Sequence, residues 1–121
     1  MAEATPTYVD KYNPERIVIT HAWDQLTAAG ATDHIDVSPV IHHTLQYKVA
    51  NKNTSVTVRA EGSLDGTNFF NLDSSNSDTT KTANGTYAFV FEGAITYIRF
   101  TFVSEEGGSA ATIDVRYFGR G

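Results

Sequence analysis

Residues 44–62, Thr44-Leu45-Gln46-Tyr47-Lys48-Val49-Ala50-Asn51-Lys52-Asn53-Thr54-Ser55-Val56-Thr57-Val58-Arg59-Ala60-Glu61-Gly62, decide the fold. Over the first six, apolar and polar side chains alternate, and in an extended chain successive side chains point to opposite faces. Leu45, Tyr47 and Val49 therefore share one face. Asn51-Lys52-Asn53 interrupts the run as a turn cluster, after which Val56, Val58 and Ala60 resume the alternation on one side. The stretch reads as two strands joined by a polar turn, each with one face to bury.

The same signal continues outward. Downstream, Asp65-Gly66 is a tight-turn pair leading into Phe69-Phe70-Asn71-Leu72. Residues 73–80 form a polar loop with nothing to bury. Tyr87–Phe91, Ile95–Val103 and Ala111–Phe118 supply three further strands, with turns at Asn84-Gly85 and Gly107-Gly108. Upstream, Arg16–Thr20 is a β-branched run, Trp23–Ala29 has the length of one helical turn ending at Gly30, and Ala31–Val37 is a strand stopped by Ser38-Pro39. About eight short strands at turn spacing, with no sustained helical period, predict an all-β protein: an antiparallel β-sandwich, jelly-roll or Greek-key like. Residues 1–13, polar and without a period, are expected to be an extended N-terminal arm, and residues 14–121 a single sandwich domain.

Composition narrows the chemistry. The 121 residues include no cysteine, which excludes disulfides, a thiol nucleophile and cysteine-ligated zinc or iron–sulfur centres. A formal charge of -5 argues against a nucleic-acid or anionic-membrane partner, and no apolar run approaches the roughly 18 residues of a membrane helix. Met1–Thr7 has neither the basic nor the apolar region of a signal peptide.

Glu61-Gly62-Ser63-Leu64-Asp65-Gly66-Thr67-Asn68-Phe69-Phe70-Asn71-Leu72 resembles a hairpin motif of β-sandwich domains, in which Ser63, Asp65 and Gly66 shape the turn and Phe69 or Phe70 swings an aromatic ring beneath it. Discoidin-like carbohydrate- and lipid-binding domains carry a similar hairpin, as do small virion proteins of tailed phages. The run from Thr86 to Val115 looks like the carboxy-terminal half of the phage proteins. That resemblance implies a non-catalytic virion protein, made in the bacterial cytoplasm, that decorates or cements the capsid. Its partners would be the major capsid protein and copies of itself, as a homotrimer or homodimer, with the arm from Met1 to about Asn13 lying across a neighbouring subunit. A tail or neck component is the alternative within the virion; a carbohydrate- or host-surface-binding module is the alternative outside it.

Other constellations have plainer explanations. His21, His34, His42 and His43, with Asp33 and Asp36, contain the ingredients of a metal site, but without a recognised spacing they read as surface or interface residues, and no metal or cofactor is expected. Asp65, Asn68, Asp73, Asn76 and Asp78 offer oxygens to calcium yet follow no EF-hand spacing, so turn chemistry is the reading adopted. There is no Gly-x-Ser-x-Gly elbow for a serine hydrolase, and Glu105-Glu106-Gly107-Gly108 reads as a solvated hairpin tip rather than half of a glycosidase pair. The alternating Phe89, Phe91, Phe100, Phe102 and Tyr117 are expected in the core. Arg99 and Arg116 are explained by opposing Glu92 or Asp114 across a ladder, with a subunit interface as the alternative. Tyr8, Tyr12, Trp23, His42 and His43 remain as candidate interface residues, with Trp23 equally open to plugging an end of the core.

Overall fold

The computed structural model describes residues 3–13, 16–73 and 77–121. Among these, every regular element is a strand: β1 (Thr7–Val9), β2 (Val18–Leu26), β3 (Gly30–Ala31), β4 (Ile35–Asp36), β5 (His42–Ala50), β6 (Ser55–Ser63), β7 (Phe70–Asn71), β8 (Thr79–Lys81), β9 (Gly85–Glu92), β10 (Tyr97–Glu106) and β11 (Thr112–Arg120). They form two antiparallel sheets. One runs β1-β2-β11-β5-β9; the other centres on β10 and β6, with β3 and β4 on the far side of β10 and β7 and β8 on the far side of β6.

The winding follows from the pairs. β2 pairs β11, β3 and β4 pair β10, β5 pairs β9, and β6 pairs β7 and β8. Each early strand thus lies beside a later one while the chain alternates between sheets, which is the jelly-roll arrangement of eight strand positions, two of them broken into short pieces. β1 adds a further strand at one edge.

The core lies between the sheets and is built by the predicted alternation. Leu45, Tyr47 and Val49 of β5 meet Val56, Val58 and Ala60 of β6, joined by Ile98, Phe100 and Phe102 of β10 and Ile113, Val115 and Tyr117 of β11. Phe89 and Phe91 are only partly buried, because β9 is the last strand of its sheet.

Three local expectations are corrected. The Trp23–Ala29 run is not a helical turn: β2 continues to Leu26 through a bulge against β11, where Gln25 takes a φ of 54° and its N–H donates to Asp114 Oδ1 at 2.8 Å. The amino-terminal segment is no free arm either. Thr7, Tyr8 and Val9 pair with Thr20, Ile19 and Val18 of this same chain, and the Ala4 N–H donates to the His34 carbonyl at 2.7 Å. Backbone pairing, which polarity does not report, holds it there. The polar stretch at 73–80 also runs into a strand, since Thr79 and Thr80 pair with Val58 and Thr57. Met1, Ala2, Pro14 and Asn76, which entered the arm, domain-boundary and calcium readings, lie outside the described residues.

Candidate functional site

The hairpin between β6 and β7 is closed by its own polar atoms. Ser63, fully buried, donates its hydroxyl to Asp65 Oδ1 at 3.0 Å and accepts the N–H groups of Asp65 and Gly66 at 3.2 and 2.9 Å. Asp65 Oδ1 also accepts the N–H groups of Thr67 and Asn68 at 2.9 and 2.8 Å, and Oδ2 accepts the Asn68 amide at 2.8 Å. These bonds, the Asn68 N–H first, hold the Asp65 carboxyl far below the usual carboxylate range. Its oxygens are engaged by the loop, the turn chemistry that short polar side chains perform. Gly66 has a φ of 77°, and a Cβ there would sit 3.3 Å from the Tyr97 ring. Of the two aromatics, Phe69 folds back, with the Arg99 guanidinium 3.7 Å from its ring centre and His34 beside it, while Phe70 stays exposed.

Beneath that loop lies a charged cluster. The Glu61 side chain is 7% exposed. Its Oε1 accepts from Arg99 Nε at 2.8 Å and from the Thr101 hydroxyl, and its Oε2 accepts from Arg59 at 3.3 Å. Burial works to raise the Glu61 carboxyl, but the bonds from Thr101, Arg99 and Arg59 outweigh it and hold it below its ordinary value. Arg59 also grips Asp78 through two bonds of 2.7 and 2.9 Å. Arg99 therefore finds Glu61, directly opposite in the β10–β6 ladder, and Arg116 finds Asp24; the expected partners Glu92 and Asp114 are not theirs. Glu105 is more than a solvated tip, since it accepts the N–H groups of Asn53 at 2.9 Å and Ala111 at 3.0 Å and so ties two loops together.

The histidines separate by strand parity. His42 faces outward, with Nδ1 3.2 Å from Glu92. His43 faces inward at 1% exposure, between the Tyr117 hydroxyl and the Gly93 carbonyl. His21 packs edge-on against Trp23, and buried His34 sits among Phe69, Tyr97 and Glu3. Among the described residues, no three histidine, aspartate or glutamate side chains gather as a metal centre.

The candidate interface residues divide likewise. Tyr12 is 93% exposed and His42 partly so, whereas Tyr8 is half-buried and donates its hydroxyl to the Asp36 carbonyl at 3.0 Å. Trp23, at 8% exposure, and His43 are interior and offer no surface to a partner or a sugar, a correction that follows from the inward parity of their strands. The sequence reading missed Val90 and Phe118, 73% and 47% exposed. Val90 pairs with Thr44, Thr44 with Phe118, Phe118 with Thr20, and Thr20 with Thr7, so one row crosses the outer face of the five-stranded sheet. Beside Phe118 is a shallow depression of about 520 Å³ lined by Thr7, Thr20, Ala22, Thr44, Gln46 and Arg116. A second cleft, of about 410 Å³, opens between β9 and the β7–β8 side of the other sheet, lined by Phe89, Phe91, Leu72 and Ala60. The inward parity of Phe89 and Phe91 was the available signal that Val90 faces out. Among the described residues no helix is long and apolar enough to cross a membrane.

No protein-family model matches this sequence, and no curated protein does. Solved structures share its fold. The SPBc2 prophage-derived protein YomS aligns with a TM-score of 0.56 and 12% identity, covering 84% of this chain and 93% of that one. A structure of Bacillus endospore appendages, described as disulfide-linked pili, aligns with a TM-score of 0.51 and 11% identity over 99% and 93% of the two chains. PirA aligns with a TM-score of 0.52 and 12% identity over 82% and 92%.

Proposed function

We propose that this chain is a structural protein of a tailed-phage virion that decorates or cements the capsid, binding the major capsid protein lattice without catalysis. The observation that carries this reading is the outward row of Val90, Thr44, Phe118, Thr20 and Thr7. It places two large apolar side chains, Val90 and Phe118, on the outer face of the five-stranded sheet. Exposed apolar surface on a rigid scaffold is characteristic of binding proteins. The fold shared with a prophage-derived protein supports the phage setting. On a lattice, many copies turn modest single contacts into lasting attachment, and the net charge of -5 keeps free subunits apart before assembly.

The amino-terminal segment enters this face through Thr7, which is held there because Thr7–Val9 is paired within the chain. A tail or neck component is the second reading, favoured by the fold shared with a pilus-forming appendage protein. This chain has no cysteine, so no disulfide through these residues would hold such an assembly together.

Co-sedimentation with capsids that lack the protein tests the proposal. The expected result is saturable binding at a fixed ratio to the shell, reduced at least tenfold by Phe118→Glu with unchanged melting. Absence of binding by the unaltered protein would overturn it.

A further inference from the structure

We propose that β9 is the edge through which two copies of this chain join, antiparallel, so that their five-stranded sheets become one ten-stranded sheet with Phe89 on the twofold axis. The proposal does not depend on the capsid reading. β9 ends its sheet and runs eight residues, Gly85–Glu92, in unbroken register with β5. It contains no proline and no lysine or arginine, the devices by which proteins blunt an open edge. The edges formed by β1, β3, β4, β7 and β8 are two or three residues long.

The direction of its free backbone groups follows from the ladder. The Gly93 N–H donates to the Ile41 carbonyl at 2.9 Å. Antiparallel pairing alternates, so Gly85, Tyr87, Phe89 and Phe91 turn their backbone groups toward β5, while Thr86, Ala88, Val90 and Glu92 turn theirs outward. A second β9 centred on Phe89 sets outward-facing groups against outward-facing groups: Ala88 meets the second copy's Val90, and Thr86 meets its Glu92.

The occupant is a second copy because that register is complementary to itself, as a twofold contact requires. Phe89 meets Phe89 and Tyr87 meets Phe91 on the inner side, where Phe89 and Phe91 already line the 410 Å³ cleft. On the outer side small Ala88 lies against Val90. The charges alternate as well. Asp114, Lys48 and Thr86 form one row of this sheet, and Glu92, His42 and Arg120 form another. Pairing sets the first row end to end with the second copy's second row. Lys48 then lies two strands, about 10 Å, from the second copy's Glu92, within reach of a lysine–glutamate pair.

The native chain has no cysteine, so single thiols report the register. Ala88→Cys and Val90→Cys place them on exposed side chains. Sedimentation of the unaltered protein is expected to show a monomer–dimer equilibrium across the micromolar range. Oxidation is expected to yield covalent dimer when the two variants are mixed and little from either alone. Ala88→Pro removes an outward N–H without touching the β5 ladder, and is expected to give a monomer with unchanged melting. A monomer at all concentrations, a dimer that Ala88→Pro leaves intact, or cross-linking of one variant with itself in place of the mixture would each overturn the pairing. So would a monomer whose capsid binding Ala88→Pro abolishes, since the edge would then belong to the shell. Dimers of Phe118→Glu that fail on capsids would leave the pairing standing and confine the loss to the outer face.

Discussion

The Tyr117 hydroxyl and His43 Nδ1 stand 2.6 Å apart inside the sandwich, joining β11 to β5. The assignment of protons follows from the third member. The Gly93 carbonyl, 3.0 Å from Nε2, can only accept, so Nε2 carries the hydrogen and Nδ1 accepts from the tyrosine. Tyr117→Phe keeps the ring but leaves Nδ1 buried without a donor. We expect a loss of about 2 kcal/mol in denaturant unfolding, the cost of a buried unsatisfied group. An unchanged midpoint would mean that the bond is not formed.

The same histidine makes the fold sensitive to mild acid. Burial is the largest influence on His43 and lowers its pKa from 6.5, with the Gly93 bond opposing. His21 is lowered in the same direction, also by burial. Below pH 6.5 the unfolded chain takes up protons that the folded chain refuses, so stability falls as the pH drops from there. Melting temperature is expected to decline from about pH 6.5 downward, and His43→Gln is expected to flatten the decline without abolishing it. A profile that is level between pH 7 and 5 would contradict this.

Glu61 is held charged between two arginines, so its neutral isostere should be costly. Glu61→Gln is expected to lose about 2 kcal/mol, below the range for a fully buried pair because Arg59 keeps Asp78 and both guanidiniums reach solvent. The carboxyls of Glu61 and Asp78 both lie below their ordinary values in the fold. Their contribution is present above the ordinary carboxylate range and is lost as pH falls through it, a second acid transition below that of the histidines. Glu61→Gln should weaken that lower transition and leave the upper one in place, which melts across pH 6.5 to 3 would show.

Gly66→Ala tests the hairpin motif. With a φ of 77° and the Tyr97 ring 3.3 Å from the new methyl group, it is expected to cost about 1 kcal/mol in denaturant unfolding. A neutral substitution would show that the loop relaxes away from the observed turn.

What the sequence disclosed was what its local period encodes. Leu45, Tyr47 and Val49 were assignable to the core because alternation depends on neighbours two residues away. Misreadings came from contacts distant in the chain. The bulge at Gln25 is set by Asp114, 89 residues on, and Arg99 meets Glu61, 38 residues back. The β1 segment looked like an arm because its binding is backbone pairing, and backbone pairing has no side-chain signature. The Val90–Thr44–Phe118 row needs the register of three strands, which no single strand carries.

Electron cryomicroscopy of phage shells assembled with and without this chain tests the central claim most directly. The account predicts added density on the capsid, repeated at equivalent lattice positions, with the β2-β11-β5-β9 face and its Phe118 turned toward the major capsid protein. Density confined to the tail or neck, or shells identical in the two preparations, would contradict it.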